Sequence, residues 1–290
     1  MQILIDIIIS AALYLLISFS FSLIYFTTKN FHIAHAAVIA SGPYILYFLQ
    51  SYFMFSPWLC IAGGIIGATV LGVIIETLIY KGMRRRNVPQ YSFIIVSIGL
   101  YIMLQNSISI FFGDGVKIIN EHAITVGNEF FGAYVSDIQI ALVITSVLLI
   151  MGLILLLKFT GIGKSIRAIG SNNALCSIHG IKTEKVILIA FALGSALASI
   201  GGILVGLDTN ITPIFGFNLL IYGIISMIIG GVRSMRGQFA GVLFVAILQH
   251  LTTYFIGAKW MDAMTYAVLI AFLIYKPLGF SGSRLKKVEV

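Results

Sequence analysis

Charge is scarce in this sequence. Only 10% of its 290 residues are Asp, Glu, Lys or Arg, and only 10 of those are acidic. A soluble domain carries about 25% charged residues, so a water-facing globular fold is excluded. Cysteine occurs twice, as Cys60 in an apolar run and Cys176 in a polar segment, which gives neither a disulfide framework nor a metal-binding spacing. Proline occurs five times and no stretch is of low complexity. Nothing therefore reads as a linker, and residues 1–290 form one transmembrane domain. Five histidines form no set with acidic partners, and no Ser/His/Asp or Cys/His arrangement stands out, which argues against an enzyme.

What is present is apolar. Hydrophobic residues make up 59% of the chain and the mean hydropathy is +1.05. Runs of about 20 apolar residues, the length that crosses roughly 30 Å of hydrocarbon, recur from end to end. They predict an all-α, polytopic helical bundle of 8–10 spans, with candidates at 4–25, 32–50, 57–79, 92–112, 138–157, 186–206, 218–230, 239–256 and 262–275. The second and seventh, interrupted by His, Ser-Gly-Pro or paired glycines, are expected to be broken or re-entrant. The N-terminus has no basic segment before its apolar run and carries Asp6, so it reads as a first span rather than a signal peptide.

Alternating the connections between the two membrane faces puts 16 of the 18 Lys and Arg on one side. Only Lys117 and Lys259 fall on the other, which receives Asp6, Asp114, Glu121, Glu129, Asp137, Asp208 and Asp262. By the positive-inside rule the basic side is cytoplasmic, the N-terminus outside and the C-terminus inside. The net charge of +8 is thereby explained as topology, and no nucleic-acid partner is called for.

The longest basic connection contains GIGKSIRAIGSNNALCSIHGI, residues 161–181. Gly163, Lys164 and Ser165 resemble the end of a phosphate-binding loop. That loop needs an earlier glycine at 158, which is lysine, and a preceding strand, where this chain has a span. No nucleotide site is expected here. Ser171-Asn172-Asn173 instead reads as a helix start and Gly180 as its stop. Leu175 and Ile178 then share one face of a short amphipathic helix suited to a soluble partner's groove.

This stretch resembles the cytoplasmic loop of the permeases of branched-chain amino-acid ABC importers, the Liv-type family, whose pattern runs G-x-A-x-R-A, then N, then E-A-A-x-x-x-G-I. FALGSALASIGGIL at 191–204 is similar to the family's next helix, and MIIGGVRSMRGQFAG at 227–241 to its glycine-rich segment. IGLYIMLQN at 98–106 and YKPLGFSG at 275–282 match its middle and end, so the resemblance covers nearly the whole chain. It implies a multi-pass permease subunit of the bacterial inner membrane, surrounded by lipid and paired with a second, homologous permease. Two cytoplasmic ATPase subunits would carry the ATP, this chain binding no cofactor, and an extracytoplasmic binding protein would deliver leucine, isoleucine, valine or a related compound. The ATPase-coupling residues implied are Arg167, Asn173, Ala174, Leu175, Ile178 and Gly180. The loop 113–137, with Asp114, Glu121, Glu129 and Asp137, is the expected landing surface for the delivery protein.

Three acidic positions of the family are replaced here. Ala37 follows the retained His35 where the family often has Glu, Ala174 opens the E-A-A segment, and Gln249 stands for a later Glu. Arg233 and Arg236 replace residues that are usually small or proline. Candidates for the translocation pathway are His35, Gln105, Asn106 and Gln249, each of which could equally be interhelical hydrogen-bond glue. His32 and His35 are spaced for a shared metal, but no third ligand is near in sequence. The glycines at 63, 64, 67, 194, 201, 202 and 206 suit close helix packing. Residues 15–44 and 219–247 share a helix–turn–helix layout suggestive of duplication. A secondary transporter or channel is the alternative, but no Asp or Glu sits deep in a span to bind a coupling ion.

Overall fold

The computed structural model of the chain describes residues 1–119, 127–130, 132–232 and 234–281. Backbone groups in a bilayer must be satisfied internally, so a spanning chain becomes helices. The helices observed are α1 (Gln2–Thr28), α2 (His35–Phe53), α3 (Pro57–Ile74), α4 (Lys81–Arg85), α5 (Gln90–Phe112), α6 (Asp137–Phe159), α7 (Gly161–Ser171), α8 (Asn173–Ile178), α9 (Thr183–Asp208), α10 (Phe215–Gly230), α11 (Met235–Phe255) and α12 (Met261–Tyr275). A π-helical turn, Ile75–Tyr80, joins α3 to α4. Strands β1 (Asn128–Phe130) and β2 (Ala133–Val135) form an antiparallel hairpin with Asn128 opposite Val135. Among the described residues seven helices are long and apolar enough to cross a membrane. The expected second and seventh spans, here α2 and α10, are not among them.

α1 and α9 are the central posts, with 78% and 67% of their most apolar stretches buried, whereas α5 and α12 form the rim at 11% and 6%. Small residues line the contacts between helices, letting backbones approach. A Cβ on Gly64 of α3 would lie 2.6 Å from the Gly42 carbonyl of α2, and one on Gly194 of α9 would lie 2.8 Å from the Ser20 carbonyl of α1. Outward-facing positions on α5, α6 and α12 carry Ile95, Ile102, Leu148, Met151, Ile270 and Ile274, as lipid contact requires.

Between α1 and α2 the connector 29–34 dips into the bundle. Phe31 packs against Tyr25 with tilted rings 4.9 Å apart, the Ala34 N–H donates to Ser97 Oγ at 2.9 Å, and His35 Nε2 meets Ser20 Oγ at 3.1 Å. Ser20 lies eight residues before the end of α1, or about 12 Å at 1.5 Å per residue. α2 therefore starts well inside. A second connector, 209–214, enters from the other end, where Ile211 and Lys117 exchange backbone hydrogen bonds of 2.9 and 3.0 Å. α10 then begins with Gly216 packed on the Ala36 carbonyl, so closely that a Cβ added there would also lie 3.1 Å from the Ala40 nitrogen. The first turns of α2 and α10 meet in the interior.

The repeat suspected at 15–44 and 219–247 is better placed elsewhere. A long buried post, an inward-dipping connector, two further helices and a rim helix recur as α1–α2–α3–α5 and α9–α10–α11–α12. The two sets run in opposite directions through the bundle, the inverted arrangement of many transporters.

The two ends of the molecule are distinct. At one, the hairpin caps α1 through Gln2, whose Oε1 accepts the Tyr134 N–H at 3.0 Å. At the other, Arg85 and Lys81 pair with Glu184 at 3.1 and 3.2 Å, and Glu76, 1% exposed, is held by Arg84. The tail closes on that same end, with the Phe280 N–H donating to the Ile229 carbonyl at 2.8 Å. Gly279 (φ +71) lies against Gly231 (φ +98) there, an approach that any side chain would block.

Candidate coupling surface and membrane-buried polar groups

Most of the basic connection folds against the spans. Residues 161–171, expected as loop, form α7, whose start is capped by Thr160 Oγ accepting the Gly163 N–H at 3.0 Å. Gly163, Ile166, Ile169 and Gly170 are its buried residues. The two glycines allow contact: Gly163 rests on the backbone of Leu157 and Gly170 on the ring of Phe26. Lys164 is exposed on the first turns of this helix, which follows α6 rather than a strand.

Asn172 then breaks the helix in extended conformation, and its Oδ1 accepts the Leu175 N–H at 3.1 Å to start α8. Six residues long, α8 turns only Cys176 inward. Leu175 is 53% and Ile178 79% exposed, with Asn173 and Ala174 beside them, also exposed. Gly180 ends the segment at φ +79, and the Ile181 N–H returns to the Cys176 carbonyl at 3.0 Å, a glycine-dependent C-terminal cap. Arg167 is solvent-accessible and edges a cavity shared with Phe26, Val232, Met235 and Gln238. The result is a short apolar knob on a firm base. The Glu184 ion pairs with α4 stand three residues beyond the Ile181 turn and fix that base laterally.

The four residues nominated for a pathway divide into two pairs. His35 is fully buried between α1 and α2, one ring nitrogen on Ser20 and the other without a partner. Gln249, 1% exposed, accepts from Tyr14 Oη at 2.6 Å and donates to Thr265 Oγ1 at 3.3 Å. Both sit in the chain's own packing. Gln105 and Asn106 lie on α5, Asn106 exposed and donating to the Ile102 carbonyl at 2.7 Å, Gln105 partly buried and reaching Ser109 at 3.4 Å. The rings of His32 and His35 lie 5.4 Å apart and tilted, yet His32 bonds Tyr80 Oη, and among the described residues no three metal-binding side chains converge. Ala37 is buried and Arg236 exposed, while Arg233 and Glu121 lie outside the described residues.

One pattern escaped the reading of the sequence. Gln2, Asp6, Ser10, Tyr14, Ser18 and Ser22 recur every fourth residue along α1. Positions four apart share an inclined row on a helix, and this row meets α11. Ser10 Oγ contacts His250 Nε2 at 2.9 Å, Tyr14 bonds Gln249, and Gln238 Nε2 donates to Ser22 Oγ at 2.7 Å. Tyr222 and Asp262 form a further pair beside Tyr14. The spacing of four was visible in the sequence; the high average hydropathy concealed it.

The sequence matches the family described as branched-chain amino acid transport system / permease component over residues 3–273. It is 27% identical over 282 residues to the high-affinity branched-chain amino acid transport system permease protein LivH of Salmonella typhimurium, covering 93% of this chain and 91% of that one. The corresponding protein BraD of Pseudomonas aeruginosa is 26% identical with the same coverages. A probable LivH of Methanocaldococcus jannaschii is 26% identical, at 97% and 92%. No solved structure matches.

Proposed function

This chain belongs to the branched-chain amino acid transport permease family, and from that premise we propose that it lines half of an import pathway driven by ATPases docked on α8. It is a multi-pass membrane permease subunit that works with ATPase and substrate-binding components. In the finer reading its partners are a second, homologous permease, two cytoplasmic ATPase subunits and an extracytoplasmic binding protein. The membrane is the bacterial inner membrane, with the N-terminus outside and the C-terminus inside. ATP hydrolysis belongs to the partners, and the cargo is leucine, isoleucine, valine or a close relative.

The observation that carries the coupling role is α8, with two aliphatic side chains bare to solvent on a short helix clamped at both ends. Arg167, Asn173, Ala174 and Gly180 frame that knob. The side of the pathway shared with the second permease is α5. An exposed Asn106 with the neighbouring Gln105 is ill-suited to hydrocarbon, and an aqueous pore between two permeases would solvate both. His35 and Gln249 then act by holding α1, α2, α11 and α12 in register. Co-expression with the ATPase and purification through a tag on this chain tests the reading. The ATPase should be retained by the wild type and lost from Leu175→Asp, and a wild-type chain that retains none would overturn it.

A further inference from the structure

Two hollows follow one another along α1, between α6 and α11. The 18 residues from Ile8 to Phe26 that floor them span about 27 Å, against roughly 20 Å for one bilayer leaflet with its headgroups. The larger hollow, about 370 Å³, is walled by aliphatic side chains such as Leu15, Val147, Ile150 and Leu243. The smaller, about 120 Å³, lies toward α7 and adds Ser22, Gln238 and Arg167 to a wall of Phe19 and Leu157. The rings of Phe19 and Phe239, edge to face at 5.5 Å, mark where one gives way to the other.

The hollow near α7 has chemistry left unused. Gln238, 2% exposed, commits its Nε2 to Ser22 Oγ at 2.7 Å and to the Val232 carbonyl at 3.4 Å, while its Oε1 has no partner. A buried acceptor without a donor is costly and rare. Arg167 is exposed at the edge of the same hollow, and Lys158, Lys164 and Arg236 are exposed on the adjoining ends of α6, α7 and α11. Among the described residues none of these four cations has an acidic partner, and neither hollow has an acidic residue in its wall. An anion and a hydrogen-bond donor are called for at one end, and a long apolar body along the rest. An anionic phospholipid supplies all three, and basic pockets between spans are where such headgroups bind. An ethanolamine headgroup would answer Gln238 but brings an ammonium to the cations, and a choline headgroup has no donor.

We infer that the two hollows together seat one anionic phospholipid with a hydroxyl-bearing headgroup, from the leaflet that meets α7. Its phosphate pairs with the Arg167 guanidinium, a headgroup hydroxyl donates to Gln238 Oε1, and an acyl chain lies on Leu15 and Ile150. The lipid so placed bridges α7 and α11, and the inference holds whatever the chain transports. The full chain, purified in detergent and stripped of lipid, is titrated with lipids of matched acyl chains and read by native mass spectrometry. Phosphatidylglycerol should bind with a stoichiometry of one, at least about tenfold more tightly than phosphatidylcholine. It should also outbind phosphatidylmethanol, an anion whose headgroup has no donor. Arg167→Gln should weaken phosphatidylglycerol at least about tenfold, and Gln238→Leu should erase its advantage over phosphatidylmethanol. Ile154→Trp, which fills the apolar hollow, should exclude both lipids, and it stands in if the Gln238 variant does not fold. Equal binding of phosphatidylglycerol and phosphatidylcholine, displacement by millimolar glycerol phosphate, or unchanged binding in the folded variants would overturn the proposal. So would loss of the lipid when the second permease is co-expressed, which would assign the hollows to a protein.

Discussion

Replacing Leu175 and Ile178 together by Asp tests the docking of α8 most directly. Full burial of such a side chain is worth about 1.5–3 kcal/mol. With 53% of Leu175 and 79% of Ile178 still exposed, a groove that covered both would gain about 2–4 kcal/mol. At about 1.4 kcal/mol per decade, losing this raises the dissociation constant of the ATPase by at least roughly thirtyfold. Two carboxylates buried without partners add to the loss. The fold should not suffer, because both side chains point away from it and Cys176 anchors α8. The assay is titration of detergent-purified variant against the ATPase subunit, with size-exclusion chromatography to confirm an intact chain. A variant that is correctly folded and binds the ATPase within threefold of wild type would refute the docking of these residues.

Gly180→Val should weaken ATPase retention without preventing insertion, whereas Gly180→Asn is tolerated: the site has open space around it but a φ of +79, which costs a side chain about 1–2 kcal/mol. Gly64→Val forces an atom to within 2.6 Å of the Gly42 carbonyl and should lower the thermal midpoint in detergent by the equivalent of about 1–3 kcal/mol; an unchanged midpoint would mean that α2 and α3 can separate freely. Asn106→Leu should reduce uptake by the assembled transporter while leaving ATPase retention intact; undiminished uptake would remove α5 from the pathway. A cysteine replacing Lys164, in a chain whose Cys60 and Cys176 are changed to Ala, should react with an impermeant maleimide only after cells are permeabilised; labelling of intact cells would invert the topology.

The spans were legible because lipid imposes one rule on every segment, and apolar length alone reveals it. α2 and α10 could be singled out as irregular from their own polar and glycine residues, but their meeting through Gly216 and Ala36 joins segments 180 residues apart. α7 was missed because Gly163 and Gly170 look like helix breakers. Buried against Leu157 and Phe26, they are what lets the helix lie flat on its neighbours. His35 and Gln249 drew notice as isolated polar residues in apolar runs. Their partners, Ser20 on one side and Tyr14 and Thr265 on the other, are remote in sequence, so whether each lined a path or fastened a joint could not be read from neighbours along the chain.

The contact between the first turns of α2 and α10 has a mechanical consequence. The connector 29–34 reaches it from the end that carries α8, and the connector 209–214 reaches it from the end that carries the hairpin. Two levers of opposite sense thus share one fulcrum, where Gly216 lies on the Ala36 carbonyl with no side chain between them to cushion the joint. The first turn of α2, tied to Ser97 through the Ala34 N–H, therefore shares its seat with the first turn of α10, whose connector is bridged to Lys117. The two connectors, entering from opposite ends, are thus tied together at a contact that has no side chain to take up slack.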